Sequence, residues 1–571
     1  MLVRQILSLG LLLPILSCSD DSFRDQRERS PEASGGTAGA QESGSAGRGL
    51  GNAGAGNDES GNAGSGNGAN QGEDEVMKIV STLPRDGSVD FERSGKVVIS
   101  FSQPVDPKTA STAFALYAEG IPAPVEMQIE GAVATLTPVS SLQRDTDYEL
   151  TLSADIKSVS GARLSSKTIV RFQTADGSWM APVALESSSD NSGVPEIAIG
   201  KDGRCLVAWD QRNESGSGVY ARILNPGTGW GEPEKLNQYE DGYLPTVAFT
   251  GANVPMVAWE ASSNGFHSRT YSNGIWAQSK LVGEAGSWFE IHGSPSNAIA
   301  SWTQYDAMLV RRWTPAVGWG STKTFTSADS RDPSLASSGD GSAIFVWNTW
   351  SNADGKRNNV WATRMSPEGT WTKAQVIDIQ DAYVLNPTVA MDASGNGLVA
   401  WAQIDGLDLF KLWTSEYSQE KGWSTPSVTH PEHADNIYHL DLAMNEQGDA
   451  ILVWVNDLQS SNMGWVSLKP MGQSWSTPIQ LELSDKRRGY PRVAIDAEGN
   501  AMVAWAQPDE TGIWSKRYSK RHGWKSADAI KVSAGKFDLA PRLKAGPGGT
   551  FGLAWAQSVG EQRDAWVSLY Q

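Results

Sequence analysis

The sequence predicts an all-β protein in which a small sandwich precedes a large radial array of eight four-stranded repeats. Three observations lead there. Eight tryptophans, Trp209, Trp259, Trp302, Trp347, Trp401, Trp454, Trp505 and Trp555, each close a short apolar run such as Leu206-Val207-Ala208-Trp209. They recur at intervals of roughly fifty residues, and a fixed period of that length marks a repeat architecture. Each period holds four short strand-like segments divided by turn residues. The two ends of the array are incomplete in complementary ways.

Residues 1–17 carry Arg4 and then the apolar stretch Ile6 to Leu16. The stretch is too short to span a bilayer and reads as a signal-peptide core. It ends in Ile15-Leu16-Ser17-Cys18, which resembles the lipobox of bacterial lipoproteins. The resemblance implies cleavage before Cys18 and a diacylglycerol on its sulfur, hence attachment to the membrane. Stable anchoring takes more than one acyl chain, each buried methylene adding roughly 0.8 kcal/mol. Ser19, where an aspartate would imply inner-membrane retention, favours an outer-membrane or cell-surface address.

From Cys18 to residue 75 the chain is Gly, Ala, Ser and Asn with scattered charge, as in Gly51-Asn52-Ala53-Gly54-Ala55-Gly56-Asn57. Such a composition has no apolar area to set against the entropy of ordering, so a disordered tether is expected. Its end-to-end distance would be about 40 Å, from roughly 5–6 Å times the square root of its length.

Residues 76–175 alternate in short strands, among them Lys96-Val97-Val98-Ile99-Ser100-Phe101 and Tyr148-Glu149-Leu150-Thr151-Leu152, with turns at Asp86-Gly87 and Ser160-Gly161. About seven strands in a hundred residues point to an Ig-like β-sandwich. The segment also resembles the bacterial Ig-like domain of surface-layer proteins. The matching residues are Pro84-Arg85-Asp86-Gly87, Phe101-Ser102-Gln103-Pro104-Val105-Asp106, Thr137-Pro138, Leu142 to Tyr148, and Phe172-Gln173-Thr174. That family implies a spacer or adhesive module.

Residues 177–571 form the array. Its clearest unit runs Tyr490-Pro491-Arg492-Val493-Ala494-Ile495-Asp496, a turn at Ala497 to Asn500, Ala501-Met502-Val503-Ala504-Trp505, then Ile513 to Tyr518, and a last strand opened by His522-Gly523-Trp524. These are strands A to D. Four-stranded units repeated radially are the cue for a β-propeller, here with eight blades. The last repeat stops after strand C at Tyr570. The array opens with an orphan strand D, Gly177 to Leu185, which matches Thr228 to Leu236. The N-terminal strand is therefore expected to close the ring, Velcro fashion, and remove exposed edges.

The repeat assigns a packing place to twenty-two of the twenty-four tryptophans. The amides two residues after the strand-B tryptophan (Gln211, Gln304, Gln403, Asn456, Gln507 and Gln557) are read as bonding backbone groups of neighbouring blades. Trp288 and Trp350 remain, the first read as part of the connection into strand A of blade three, the second of the long loop after strand B of blade four. Phe289-Glu290-Ile291-His292 is set against Arg492-Val493-Ala494-Ile495, so that two polar side chains replace two apolar ones. The expected ligand site is thus Trp288, Glu290, His292, Trp350 and Asp354, an aromatic platform with polar contacts for a sugar or a surface protein.

Other chemistry finds little support. Net charge is −18, which disfavours nucleic-acid binding and keeps an exposed protein soluble and monomeric. Cys18 and Cys205 are the two cysteines, so no disulfide framework arises. Cys205, inside a strand B, reads as a buried thiol. The Ser-x-Asp-x-Gly-x-x-Trp box of sialidases is absent, the spacing from Asp496 to Trp505 is wrong for a quinone-dependent dehydrogenase, and Trp209-Asp210 alone does not make a WD40 array. The cluster His430, Glu432, His433, Asp435 and His439 lacks the spacing of a defined zinc site. No cofactor, metal or catalytic residue is assigned. The repeats also resemble uncharacterised propeller repeats of secreted bacterial proteins, which implies no activity. A surface-anchored binding protein is the expectation, more than an enzyme. A secreted carbohydrate-active enzyme, a glycosidase or lyase, and a structural envelope component are the alternatives.

Overall fold

The computed structural model describes residues 76–186, 190–214, 216–238, 241–262, 265–326, 330–350, 358–379, 382–404, 409–431, 437–457, 462–481, 490–507, 512–530, 536–537 and 541–571. Cys18, the leader and the tether lie outside them. The described chain divides into two compact units, one ending at Ala175 and one beginning at Asp176. No described helix is long and apolar enough to cross a membrane.

The first unit is built from β1 (Ile79–Leu83), β2 (Ser88–Phe91), β3 (Val97–Phe101), β4 (Phe114–Ala118), β5 (Ile121–Pro122), β6 (Val125–Glu130), β7 (Val133–Pro138), β8 (Asp147–Leu152) and β9 (Thr168–Thr174). They form one sheet in the order β1-β3-β7-β6 and another in the order β2-β9-β8-β4-β5. Alternation explains the sandwich. Val97, Ile99 and Phe101 on β3 and Tyr148, Leu150 and Leu152 on β8 are buried, and the residues between them are not. Successive side chains of a strand point to opposite faces. The Tyr148 and Phe172 rings stack at 5.5 Å in the shared core.

The second unit holds eight antiparallel sheets among the described residues. In the first repeat strand A is Glu196–Ile199, strand B Cys205–Asn213, strand C Gly216–Asn225 and strand D the two short pieces Gly229–Trp230 and Glu234–Lys235. The strand-B tryptophans are almost wholly inaccessible. Opposite each, on strand C, sits a second ring in most repeats: Trp209 stacks on Tyr220 at 5.9 Å and Trp347 on Trp361 at 6.4 Å. Strand-D tryptophans reach the preceding repeat. Trp319 donates its indole N–H to Ser268 and Trp179 to Ser515, both at 2.8 Å. These side chains fill the wedge between sheets and account for the ladder as packing.

Some of the amides after the strand-B tryptophan bond within their own repeat. Gln211 and Gln403 accept the indole N–H of their own repeat's Trp209 and Trp401, at 3.3 and 2.8 Å. Gln304 donates to Glu284 and to the Ala285 carbonyl. An amide two residues along a strand lies on the same face as the indole and can reach it, while Gln304 reaches the connection that leads from the second repeat.

Strand A of each repeat packs beside strand A of the next, and strand A of the first repeat beside that of the eighth, Arg542–Ala545. Val183–Ala184 pairs with the last strand, Gln562–Tyr570, with Val183 opposite Val567 and Ala184 opposite Trp566. The residues around them extend the pairing: Ser178 and Gln571 exchange backbone hydrogen bonds, and Leu185 N–H reaches the Ala565 carbonyl. Leu185 is fully buried among Ile197, Cys205, Trp209 and Val567. Cys205 is inaccessible, and burial pushes its thiol up, away from the reactive thiolate.

A buried ion pair pins this segment. Asp176 accepts from Arg517 Nε at 2.7 and 2.8 Å, and its carboxylate lies 2.7 Å from Arg517 Nη2 and 3.2 Å from Lys525 as ion pairs. The Arg517 guanidinium also faces the rings of Tyr570 and Phe551 at 5.1 and 5.4 Å. Burial opposes the charge of Arg517, but the Asp176 carboxylate outweighs it and raises the pKa.

Two outcomes follow from this seam. Arg517→Met leaves the buried Asp176 carboxylate with Lys525 alone, so urea unfolding should show a loss of about 3 kcal/mol, much of it recovered in the double variant with Asp176→Leu. Burial pushes Glu186, beside the closing strand, up to about 7 from 4.5. The folded state then holds a proton that the unfolded chain releases, so its contribution to stability falls as pH rises between those values. Glu186→Gln should therefore raise the urea midpoint at pH about 8 and leave it unchanged near pH 4.

Candidate functional site

Register defines the rows of side chains around the eight A strands. In each repeat one strand-A residue pairs with the residue before the strand-B tryptophan: Glu196 with Ala208, Thr246 with Ala258, Glu290 with Ser301, Ser334 with Val346, Thr388 with Ala400, Asp441 with Val453, Arg492 with Ala504 and Arg542 with Ala554. All eight are polar. Several bond to the next A strand: Thr246 accepts Ile291 N–H at 3.3 Å, Ser334 accepts Val389 N–H at 3.2 Å, and Asp441 accepts Val493 N–H at 2.8 Å. Arg542 and Glu196 form an ion pair between the eighth and first repeats. Backbone groups on the inner edge have no further strand to pair with, and these side chains satisfy part of that demand.

This register corrects the sequence alignment by one residue. Glu290, not Phe289, stands where Arg492 stands, and a polar residue there is the rule. Two residues on, the row reads Ala198, Ala248, His292, Ala336, Ala390, Ala443, Ala494 and Lys544. His292 is thus an exception in its row, and Lys544 is the other. The source of the shift is a β-bulge: pairing skips between Ser287 and Glu290, as it does between Tyr243 and Thr246, Arg331 and Ser334, and Leu385 and Thr388. A bulge inserts unpaired residues that a linear alignment does not reveal.

Trp288 is one of those bulge residues, within strand A (Ser287–Gly293) rather than in the connection before it. Its φ of 57° matches 49° at Leu244, 47° at Asp332 and 50° at Asn386. The left-handed conformation therefore belongs to the repeat, and the indole alone is particular to this one. Phe289 takes the place of a proline found in the other three and stacks on Phe266 at 4.1 Å.

The A strands enclose a cavity of about 1560 Å³ that runs from strand-A ends such as Ile495 and Ala545 to the strand B–C ends at Asp210, Ser262 and Glu561. At the other end, Lys201 in the A–B turn of the first repeat reaches Glu446 in that of the sixth at 2.5 Å. Those repeats are not neighbours, so the turns crowd together there. Trp288, Glu290 and His292 all line the cavity, with Lys544, Tyr243 and Glu260. His292 Nε2 lies 3.1 Å from Glu290 Oε2. Burial alone would raise the Glu290 pKa. The His292 hydrogen bond and the charges of His292, Lys544 and Arg542 outweigh it and hold the carboxyl below the usual range.

Trp350 ends strand B of the fourth repeat, Ala343–Trp350, and pairs with Asn358 instead of lying in the following loop. Asp354 lies outside the described residues, as do Glu432, His433 and Asp435. His430 stacks on Trp454 at 5.2 Å, and His439 contacts the Pro491 carbonyl at 2.9 Å. Among the described residues no group of three His, Cys, Asp or Glu is placed to hold a metal. Sequence reasoning missed Lys544, although its signal is legible: Arg542-Leu543-Lys544 stands against Arg492-Val493-Ala494.

Residues 73–174 match the family model of the bacterial Ig-like domain. The first compact unit is that Ig-like domain, and its two-sheet core agrees with the match. No curated protein matches the chain. Among solved structures, Sqt1 from Chaetomium thermophilum bound to the N-terminus of a ribosomal protein aligns over 69% of this chain and 100% of its own, with 11% identity and a TM-score of 0.42. The polysaccharide lyase Uly1 aligns over 66% and 89%, with 10% identity and a TM-score of 0.37. A mutant NanB sialidase from Streptococcus pneumoniae aligns over 85% of each chain, with 10% identity and a TM-score of 0.31.

In His292→Ala the hydrogen bond that favours the Glu290 carboxylate is gone. Carbon-13 NMR titration of the Glu290 carboxyl should then give a higher pKa than in the parent protein.

Proposed function

We propose that the protein is a lipid-anchored cell-envelope receptor whose cavity binds a carbohydrate ligand. In this reading Cys18 carries the lipid, residues 18–75 form the tether, the Ig-like domain is a spacer, and residues from Asp176 form an eight-bladed β-propeller head. The side-by-side order of the A strands and the pairing of Val183–Ala184 with the last strand support the propeller. The lipobox and the composition of the tether support the anchor and the outer-membrane or cell-surface address.

The observation that carries the binding reading is the cavity itself. All eight repeats line it, yet its wall departs from their pattern at Trp288, His292 and Lys544. A packing role would keep such positions uniform. A concave site with an aromatic side and a few convergent polar groups is the usual form of a small-ligand pocket. A protein ligand would have to insert a loop to reach these residues.

Burial raises the carboxyl pKa of Asp210 and Glu260 on the cavity wall. That favours a second reading as a carbohydrate-active enzyme, because a general acid must hold its proton near working pH.

The full chain, applied to a glycan array in detergent, should bind at least one class of glycan, and Trp288→Ala should lose about tenfold or more in affinity. No glycan bound, or equal binding by the variant, would count against the reading. Release of shorter products from a bound glycan would favour the enzyme. Cells fed labelled palmitate should label the parent chain, whereas Cys18→Ser should stay unlabelled and leave the membrane fraction.

A further inference from the structure

The residue that follows each strand-B tryptophan forms another row of the second unit. It is polar in the first four repeats, Asp210, Glu260, Thr303 and Asn348, and apolar in the rest, Ala402, Val455, Ala506 and Ala556. Three of the four polar members have partners. Asp210 takes a backbone hydrogen bond from Leu244 and feels the charge of Arg563. Thr303 donates to the Ser287 carbonyl at 3.1 Å. Asn348 donates to Asp332 at 2.9 Å and to the Val384 carbonyl at 3.2 Å.

Glu260 is the member without one. Among the described residues no donor and no cation bears on its carboxyl, which is half-buried on the cavity wall. Burial is the influence that acts on it, and burial raises its pKa. Its oxygens are open to the cavity, where a ligand can reach them.

The surroundings of Glu260 indicate what would complete it. Tyr243 stands directly opposite on the paired strand. Strand A of the third repeat, which carries Trp288, packs against both of these strands. Two aromatic rings and a carboxyl on one wall suit a cation, because the ring faces attract positive charge and a carboxylate pairs with it. Nearby hydroxyls suit a polyol. Thr246 and Ser334 have each accepted a backbone N–H and keep a hydroxyl proton to donate to a ligand in the cavity.

We propose that the wall formed by Glu260, Tyr243 and Trp288 receives the ammonium group of an amino sugar. The proposal rests on the carbohydrate-binding reading above and narrows it to glycans with free amines. The ammonium supplies the charge that Glu260 lacks, and Trp288 covers the sugar face.

Calorimetry with the full chain tests it, using a short chitosan oligomer, its fully N-acetylated counterpart and a lysine-rich peptide, at a pH where the amines are protonated. The chitosan oligomer should bind about tenfold tighter than the acetylated one, the order expected of one charge-assisted contact. Glu260→Gln, with an unchanged melting curve, should abolish that preference, and Trp288→Ala should weaken both sugars. Equal binding of the two oligomers, or a preference that survives Glu260→Gln, would overturn the amine site while leaving carbohydrate binding intact. Stronger binding of the lysine peptide than of the chitosan oligomer would also overturn it. Binding of none of the three would overturn the amine site. Carbohydrate binding itself would fail only if the glycan array were silent as well.

Discussion

The pairing of residues 178–185 with the last strand is the contact on which the array of sheets depends. Without it the eighth sheet would end in an open edge at Gln562–Tyr570, and unpaired edges invite association. The segment also supplies core. Leu185 fills space between the last and first sheets, and Trp179 packs against Tyr570 while its indole N–H reaches Ser515 of the seventh repeat. Asp176, at the start of the segment, is held by Arg517 from that same repeat. Three successive sheets are therefore tied by ten residues of chain.

The side-by-side order of the A strands has a consequence around the cavity. Once the eight A strands stand side by side, their inner edges face one another and carry unpaired backbone groups. A polar row at the position of Glu290 answers that demand, partly by bonding the next strand. Twice in the row opposite charges stand side by side, Arg542 beside Glu196 and Arg492 beside Asp441. These groups serve the fold. Function is to be sought where a row is broken: His292 and Lys544 among alanines, Trp288 among Leu244, Asp332 and Asn386, and Glu260 among polar neighbours that are all bonded.

Much of the fold was legible in the chain. The tryptophan ladder, the Asp-x-x-Gly turns and the complementary ends are local or periodic, and each appears in the described sheets. The Ig-like domain was legible for the same reason, since alternation along Val97 to Phe101 or Tyr148 to Leu152 states which face is buried. The candidate site was legible only in part. Trp288, Glu290 and His292 stood out as departures from the repeat and do line one cavity. Trp350 stood out equally, yet it ends a strand and is paired there. The role of Lys544 was visible in one substitution, Ala494 against Lys544, but gained meaning only once it and His292 were found to share a row.

By itself the sequence determined the repeat, the strand order within it, and the identity of the segment that pairs with the last strand, because those follow from spacing and alternation along the chain. Tertiary structure decided the register of strand A, displaced by bulges that cost one alignment step. It also decided which rows meet across the cavity and which polar groups are left without partners. These depend on contacts between residues far apart in the chain, and on backbone conformations such as the left-handed φ at Trp288, which no residue type there announces.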